Sequence, residues 1–178
     1  MPKSSLSNKF WDNVDLALQV FTPLVKVLRR VDGDKMPSMG WVYGDLENAK
    51  EEIKLAVKGE EKKYLPIWKI IDKRWDEKLK NPLHRAGYFL NPYFYFAKKE
   101  AIDKAGVFMD GFVDAMHKFY PNDDGVIDKI SQQLPMYQYQ KGSFGREFAK
   151  TYAKKLNNPG ISFLHFTYLH RKEITILF

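Results

Sequence analysis

Apolar side chains recur at steps of three and four along most of this chain, which is the period of an α-helix with one buried face. The first segment carries two such stripes side by side. One stripe consists of Trp11, Val14, Leu18, Phe21, Val25 and Leu28, and its neighbour of Phe10, Ala17, Val20, Leu24, Val27 and Val31. Two adjacent stripes predict a helix buried on a wide face. Pro23 predicts a kink or a break within it, because proline removes the hydrogen bond to the carbonyl of Gln19.

The same period predicts five further helices, at about residues 40–58, 62–80, 101–120, 124–139 and 143–156. The stretch 83–96 is dense in aromatic residues and is interrupted by Gly87 and Pro92. It predicts a short helix followed by an aromatic loop, with part of the Tyr93–Phe96 stretch exposed. Residues 161–178 are rich in β-branched and aromatic residues, which are typical of strands, but no earlier segment offers them a strand partner.

These patterns predict an all-α fold, an irregular bundle of about six helices over residues 1–160. They predict a separate tail over 161–178 that is β-like or disordered. A chain of 178 residues is long enough to bury a core of this kind.

Composition narrows the classes of function. The chain has 29 Lys and Arg against 22 Asp and Glu, a net charge of +7, and no cysteine. It therefore has no disulfide, no thiolate nucleophile and no zinc site built on cysteine. No apolar run approaches the roughly 20 residues that span a bilayer, and the first ten residues lack the apolar part of a secretory signal, so we expect no membrane contact. The positive charge permits contact with nucleic acid but does not require it.

Motifs of known catalytic chemistry are missing from the sequence. No phosphate-binding glycine loop is found, and the four histidines do not have the spacing of metal ligands. Ser143 lies in Gly-Ser-Phe-Gly, which lacks the spacing of a nucleophile elbow, and is expected to cap a helix. The close acidic pairs are expected to have structural roles, because no third ligand lies at a suitable spacing. They are Asp12 with Asp15, Asp32 with Asp34, and Asp123 with Asp124. We therefore expect no cofactor, no metal and no small-molecule substrate.

Clusters of basic residues supply the remaining candidates, for weak contact with DNA phosphates. They are Arg29, Arg30, Lys73, Arg74, Lys154 and Lys155. Such clusters more often form a solvated helix face than a phosphate site, so the assignment also needs support from the fold.

Five stretches of the chain, in the same order, resemble plant transposases of the hAT type. Residues 27–40 read VLRRVDGDKMPSMG and resemble the family segment V-L-R-x-V-D-G-D-x-x-P-x-M-G. Residues 67–75, IWKIIDKRW, and 82–92, PLHRAGYFLNP, are similar to the most distinctive stretch of that family. Residues 128–137 and the Gly142–Gly145 segment continue the likeness. It covers about residues 10–159.

This resemblance implies the helical insertion of a ribonuclease-H-like catalytic core. The resemblance also implies that full-length members carry a BED zinc finger and a C-terminal dimerisation segment. The catalytic acids of the family lie outside the matched stretch, so the resemblance implies that this chain is not an enzyme and does not cleave DNA. After about residue 160 the chain departs from the family, as a truncated remnant would. A nuclear location is implied by the resemblance alone.

Three hypotheses follow for function. The first is a transposase-derived, catalytically incomplete helical domain with residual non-specific DNA binding. The second is a protein-interaction module that self-associates or pairs with an intact transposase-like protein, through apolar surface that includes the Tyr93–Phe96 stretch. The third is a gene remnant without function.

Overall fold

The structure, a computed structural model, describes residues 7–33, 39–78, 81–147 and 149–151. Within these ranges it consists of α-helices and one 3₁₀ helix, and it contains no β-strand. The helices are α1 (Asn8–Val31), α2 (Met39–Ala56), α3 (Glu61–Lys78), α4 (Pro82–Leu90), α5 (Pro92–Ala97), α6 (Lys99–Ala105), α7 (Val107–Phe119) and α8 (Asp124–Gln138), followed by the 3₁₀ helix Gly142–Gly145. The all-α class is confirmed. The expected tail over 161–178 lies outside the described residues.

Helix α1 is not broken by proline. It continues from Asn8 to Val31 with Pro23 buried inside it, and Arg29 and Arg30 lie in its last turn, where positive charge favours the helix dipole. A break occurs instead in another segment, where we expected a single helix over 101–120. Gly106 has φ +69°, a left-handed conformation that glycine adopts without steric cost, and it separates α6 from α7.

The aromatic loop expected after residue 90 is a helix instead, α5. Pro82 and Pro92 each occupy the first turn of a helix, where the missing amide proton costs nothing, so each proline begins a helix. The preceding asparagines cap these helices. Asn81 Oδ1 accepts a hydrogen bond from the amide of Leu83 at 3.0 Å, and Asn91 Oδ1 accepts one from the amide of Tyr93 at 3.1 Å.

The described residues fall into two compact units. The first unit lies within Met1–Gly33 and Val42–Lys80. Its core joins Ile53 of α2 and Val57, just after the end of α2, to Tyr64 of α3. The partly buried residues that pack against this core are Val20, Leu24, Ile67, Trp68 and Ile71. The indole Nε1 of Trp68 donates a hydrogen bond to the carbonyl of Lys50 at 3.0 Å, so the tryptophan fixes α3 against α2 while satisfying its own polar atom.

The second unit lies within Asp34–Trp41 and Asn81–Phe178 and has an aromatic core. Phe89, which is 1% exposed, has ring centroids of Tyr95, Phe112 and Tyr137 within 5.0 to 6.1 Å. The hydroxyl of Tyr137 donates to the carbonyl of Phe89 at 2.9 Å. Burial of that hydroxyl, with a further contribution from Tyr95 and Asp103, raises the pKa of Tyr137 well above its usual value of 10.0, so it remains a neutral donor.

Glycines permit the closest helix contacts in this unit. A Cβ on Gly111 of α7 would lie 2.5 Å from the Cβ of Arg85 of α4, and one on Gly87 would lie 3.1 Å from the carbonyl oxygen of Met39. Asn91 secures the second crossing, because its Nδ2 donates to the carbonyl of Gly40 at 2.8 Å. The start of α2 is thereby held against α4 and the junction with α5.

The end of the described chain differs from the helix expected over 143–156. Ser143 lies inside the 3₁₀ helix and is buried, so its predicted role as an N-cap is wrong. Further helical residues begin at Glu147 and are described only to Thr151.

Asp123 does have the structural role predicted for it, because its Oδ1 accepts a hydrogen bond from the amide of Val126 at 3.0 Å and caps α8. The predicted boundary at residue 160 lies outside the described residues.

Candidate interaction surface on helix α1

The first apolar stripe of α1 faces solvent. The exposed fractions of Trp11, Leu18, Phe21, Val25 and Leu28 are 57%, 59%, 62%, 40% and 57%, and Val14 is half-buried. The expectation of a helix buried on a wide face is therefore wrong. This stripe faces solvent, and the second stripe is only partly covered, with Val20, Leu24 and Val27 half-buried. We call these six residues, Trp11, Val14, Leu18, Phe21, Val25 and Leu28, the α1 stripe.

The neighbouring stripe of α1 explains why the α1 stripe is left open. Val20 and Leu24, from the second stripe, pack on the core of the first unit. Two ion pairs hold the C-terminal half of the helix in that orientation. Lys26 Nζ lies 2.9 Å from a carboxylate oxygen of Glu52, and Arg30 lies 3.1 Å from Asp45. A helix can turn only one face toward a single neighbouring layer, so the α1 stripe lies on the free side.

An exposed apolar row of this length is unusual on a soluble helix. Scattered single apolar residues are normal on a protein surface, but contiguous patches of several hundred Å² mark sites of interaction. Taking about 200 Å² for each large side chain, the exposed fractions of the stripe correspond to about 500 Å² of apolar surface. The flanking Phe10 and Val31, which are 43% and 38% exposed, extend it at both ends.

The basic candidates for DNA contact are dispersed among different environments. Arg30 pairs with Asp45, and Lys73 lies 3.7 Å from Glu77 on its own helix. Arg29 and Arg74 are exposed and form no ion pair with a described residue. Lys154 and Lys155 lie outside the described residues.

Other charged side chains of the first unit are also held in ion pairs and hydrogen bonds. Burial raises the pKa of the Asp45 carboxyl, and the nearby Arg30 guanidinium offsets part of this rise. At Lys50, burial alone would lower the pKa, but hydrogen bonds and attraction from Asp72 and Glu47 outweigh it and raise the pKa above 10.5. The ammonium of Lys50 lies 2.8 Å from Asp72 and 5.0 Å from the ring centroid of Trp68, so it is held inward rather than offered to a ligand.

The net positive charge resides mainly outside the described helices. The described residues contain 22 basic and 20 acidic side chains, so they carry +2 of the +7 total. Residues 152–178 contain four basic and one acidic side chain. The described surface is thus nearly neutral, which favours an apolar contact over a phosphate contact for this part of the chain.

The aromatic stretch expected to be partly exposed is mostly internal. Phe94 and Tyr95 are 3% and 0% exposed, and Tyr93 and Phe96 are half-buried. The rings pack among themselves and on Trp41 and Tyr137, with centroid distances of 5.1 to 5.3 Å. The prediction that this stretch supplies an interaction surface is wrong, because its period lets it form α5 and turn its rings into the core of the second unit.

No group of three or more His, Asp or Glu side chains with metal-site geometry occurs in the part of the chain that the structure describes. None of the described helices has the length and apolarity needed to cross a membrane. No protein-family model, curated protein or solved structure matches this chain.

Proposed function

We propose that this chain is a helical protein-interaction module derived from a hAT-type transposase, and that the α1 stripe is its binding surface. The observation that carries the proposal is the exposure of five large apolar side chains in one row of a helix that packs on its own core through the adjacent residues Val20 and Leu24. Burying such surface is the main source of affinity between proteins. The proposed role is non-enzymatic, in line with the resemblance, because the catalytic acids of that family lie outside the matched stretch.

The descent from a transposase is supported by the way the resembling stretches meet. Gly40 ends the first stretch, and Gly87 and Asn91 belong to the third. They form a close helix crossing with a partly buried hydrogen bond, although about fifty residues separate them. Trp68, in the second stretch, bonds to the backbone of α2. The residues of the resemblance thus act as fold-forming residues, which suits a helical region kept apart from catalysis.

Charging the α1 stripe is expected to change binding without changing stability. The variant Leu18→Glu/Phe21→Glu places two acids at positions that are 59% and 62% exposed. At about 1 µM, where association contributes little, we expect its free energy of unfolding to stay within about 0.5 kcal/mol of the parent. Urea unfolding measures this, and the fluorescence of an apolar dye on the native protein should fall.

The matched control is Leu55→Glu/Ile70→Glu, at two positions of α2 and α3 that are 74% and 65% exposed and lie off the α1 stripe. It should also preserve stability, but it should retain dye binding. A loss of several kcal/mol in Leu18→Glu/Phe21→Glu would contradict the proposal, because it would show that the stripe is covered by this chain itself.

We also propose weak, non-specific DNA contact, which would suit the nuclear location that the resemblance implies. It is supported by the exposed Arg29 and Arg74 and by the excess of basic residues in 152–178. Affinity should fall steeply with salt, and each lost phosphate contact should lower the log–log salt slope by about 1.

Fluorescence anisotropy on a short duplex tests this proposal, comparing Arg29→Ala/Arg74→Ala and Lys154→Ala/Lys155→Ala with the control Lys104→Ala/Lys118→Ala. Only the control should keep the parent slope. A flat salt response of the parent protein contradicts DNA contact. With Mg²⁺ or Mn²⁺, supercoiled plasmid should remain uncut.

A further inference from the structure

The spacing of the α1 stripe specifies what kind of partner fits it. The six residues alternate steps of three and four, so they occupy the a and d positions of three consecutive heptads. They extend over about 26 Å of helix at 1.5 Å per residue. A row with this period is complementary to another helix of the same period, whereas a strand or an irregular loop matches only a few of its positions.

We infer that the partner is the α1 helix of a second copy of this chain, packed antiparallel. This inference rests on the proposed function of the α1 stripe. In an antiparallel pair each a position faces a d position, and the six residues then match end to end. The layers would be Trp11 with Leu28, Val14 with Val25, and Leu18 with Phe21, each occurring twice.

Side-chain volume favours this orientation over a parallel one. In the antiparallel pair, the end layers and the central layers each combine an aromatic ring with a leucine. The layers between them each combine two valines. A parallel pair would place Trp11 on Trp11 and Phe21 on Phe21, next to layers of two valines or two leucines. Layers of more even volume leave fewer voids and less strain.

Charge favours the same orientation. The first half of α1 contains Lys9, Asp12 and Asp15, and the second half contains Lys26, Arg29 and Arg30. In this register the flanking residues Asp15 and Arg29 face Thr22 and Asn8 of the other helix, so the complementarity lies between the two ends of the helices and not in a direct Asp15–Arg29 pair. The acidic end of each helix therefore lies beside the basic end of the other, and the helix dipoles oppose. A parallel pair would bring the two basic ends together.

The surface is large enough for a specific pair. With about 500 Å² of apolar area on each copy, the pair buries about 1,000 Å², the lower bound of a specific interface, and Phe10 and Val31 add to it. We therefore expect a reversible dimer rather than an obligate one.

Sedimentation velocity of the full chain from about 1 to 300 µM tests the pairing. The parent should shift from monomer to dimer with concentration. Leu18→Glu/Phe21→Glu should raise the dissociation constant at least about a thousandfold, because four buried side chains are lost per dimer. The control Leu55→Glu/Ile70→Glu should dimerise like the parent.

Cysteine crosslinking tests the orientation, and the absence of native cysteine makes each introduced thiol unique. Trp11→Cys and Leu28→Cys should form a disulfide dimer when mixed, and neither should do so alone. Crosslinking of Trp11→Cys with itself would indicate a parallel pair and overturn the inference.

A parent that stays monomeric at 300 µM would also overturn the inference. If Leu18→Glu/Phe21→Glu then lowers dye binding without loss of stability, the proposed binding surface stands and its partner is a different helix. If that variant loses stability, the proposed function fails as well, and residues 152–178 become the first candidates to cover the stripe.

Discussion

Replacing Phe89 with alanine is expected to lower the free energy of unfolding by about 3–5 kcal/mol, the range found when a buried aromatic ring is removed. Phe89 is 1% exposed and contacts rings from α5, α7 and α8. Its removal leaves a cavity at the point where these helices meet. The carbonyl that receives the hydroxyl of Tyr137 belongs to the same residue, so a shift of this backbone would also weaken that hydrogen bond.

Phe119→Ala is the matched control for Phe89→Ala. Phe119 ends α7 and is 65% exposed, so the same chemical change there should cost less than about 1 kcal/mol. Urea unfolding, followed by circular dichroism, compares the two variants. Equal losses would show that the centre of the second unit does not lie at Phe89.

Replacing Asn91 with alanine is expected to cost about 2–4 kcal/mol, more than an ordinary helix cap. Asn91 is 3% exposed and links three segments. Its oxygen caps α5 at the amide of Tyr93, and its amide group donates to the carbonyl of Gly40 in α2. Alanine removes both hydrogen bonds and leaves the carbonyl of Gly40 without this donor, at a close crossing where a Cβ on Gly87 would lie 3.1 Å from the carbonyl oxygen of Met39.

Two further variants separate the contributions of Asn91. Asn81→Ala removes a cap with a single hydrogen bond, to Leu83, and should cost only about 1 kcal/mol. Asn91→Asp keeps the capping oxygen but places a carboxylate oxygen against the carbonyl of Gly40, so any loss reports on the second hydrogen bond. If Asn91→Asp equals the parent in urea unfolding, the hydrogen bond to Gly40 contributes nothing measurable.

The residues that stabilise the second unit are thus different from those that we propose to bind a partner in the first. The helices of the second unit are capped and packed by residues from the stretches that resemble transposases, namely Gly87, Asn91 and Tyr137. The α1 stripe lies mostly before the first of those stretches, which begins at Val27. A binding surface there can change its partner without disturbing the core, because its side chains contribute little to that core.

Local signals in the sequence account for the positions of most helices. The predicted segments 40–58, 62–80 and 124–139 agree with α2, α3 and α8 within a few residues, because each has an apolar face of period 3.6 and a clear end. The failures occurred where one residue has two structural uses. Pro92 begins a helix rather than ending one, and Gly106 divides a stripe that is otherwise uninterrupted.

The proposed binding surface could be located in part from the sequence. The three-and-four spacing of Trp11 to Leu28 is visible there, and it is the signal of a helix-pairing face. The adjacent stripe from Phe10 to Val31 shows the same spacing, so period alone predicts burial for both. Which face stays open depends on the position of Ile53, Val57 and Tyr64, which come from other parts of the chain and receive Val20 and Leu24.

The sequence by itself determined the helical class, the missing catalytic motifs and the chemistry of both faces of α1, because period and composition are local properties of the chain. Only the tertiary structure decided that the Tyr93–Phe96 stretch turns inward, that Lys50 and Arg30 are held by acids, and that the α1 stripe faces water. The reason is that burial depends on what packs opposite a residue, and the residues that pack opposite come from distant parts of the chain.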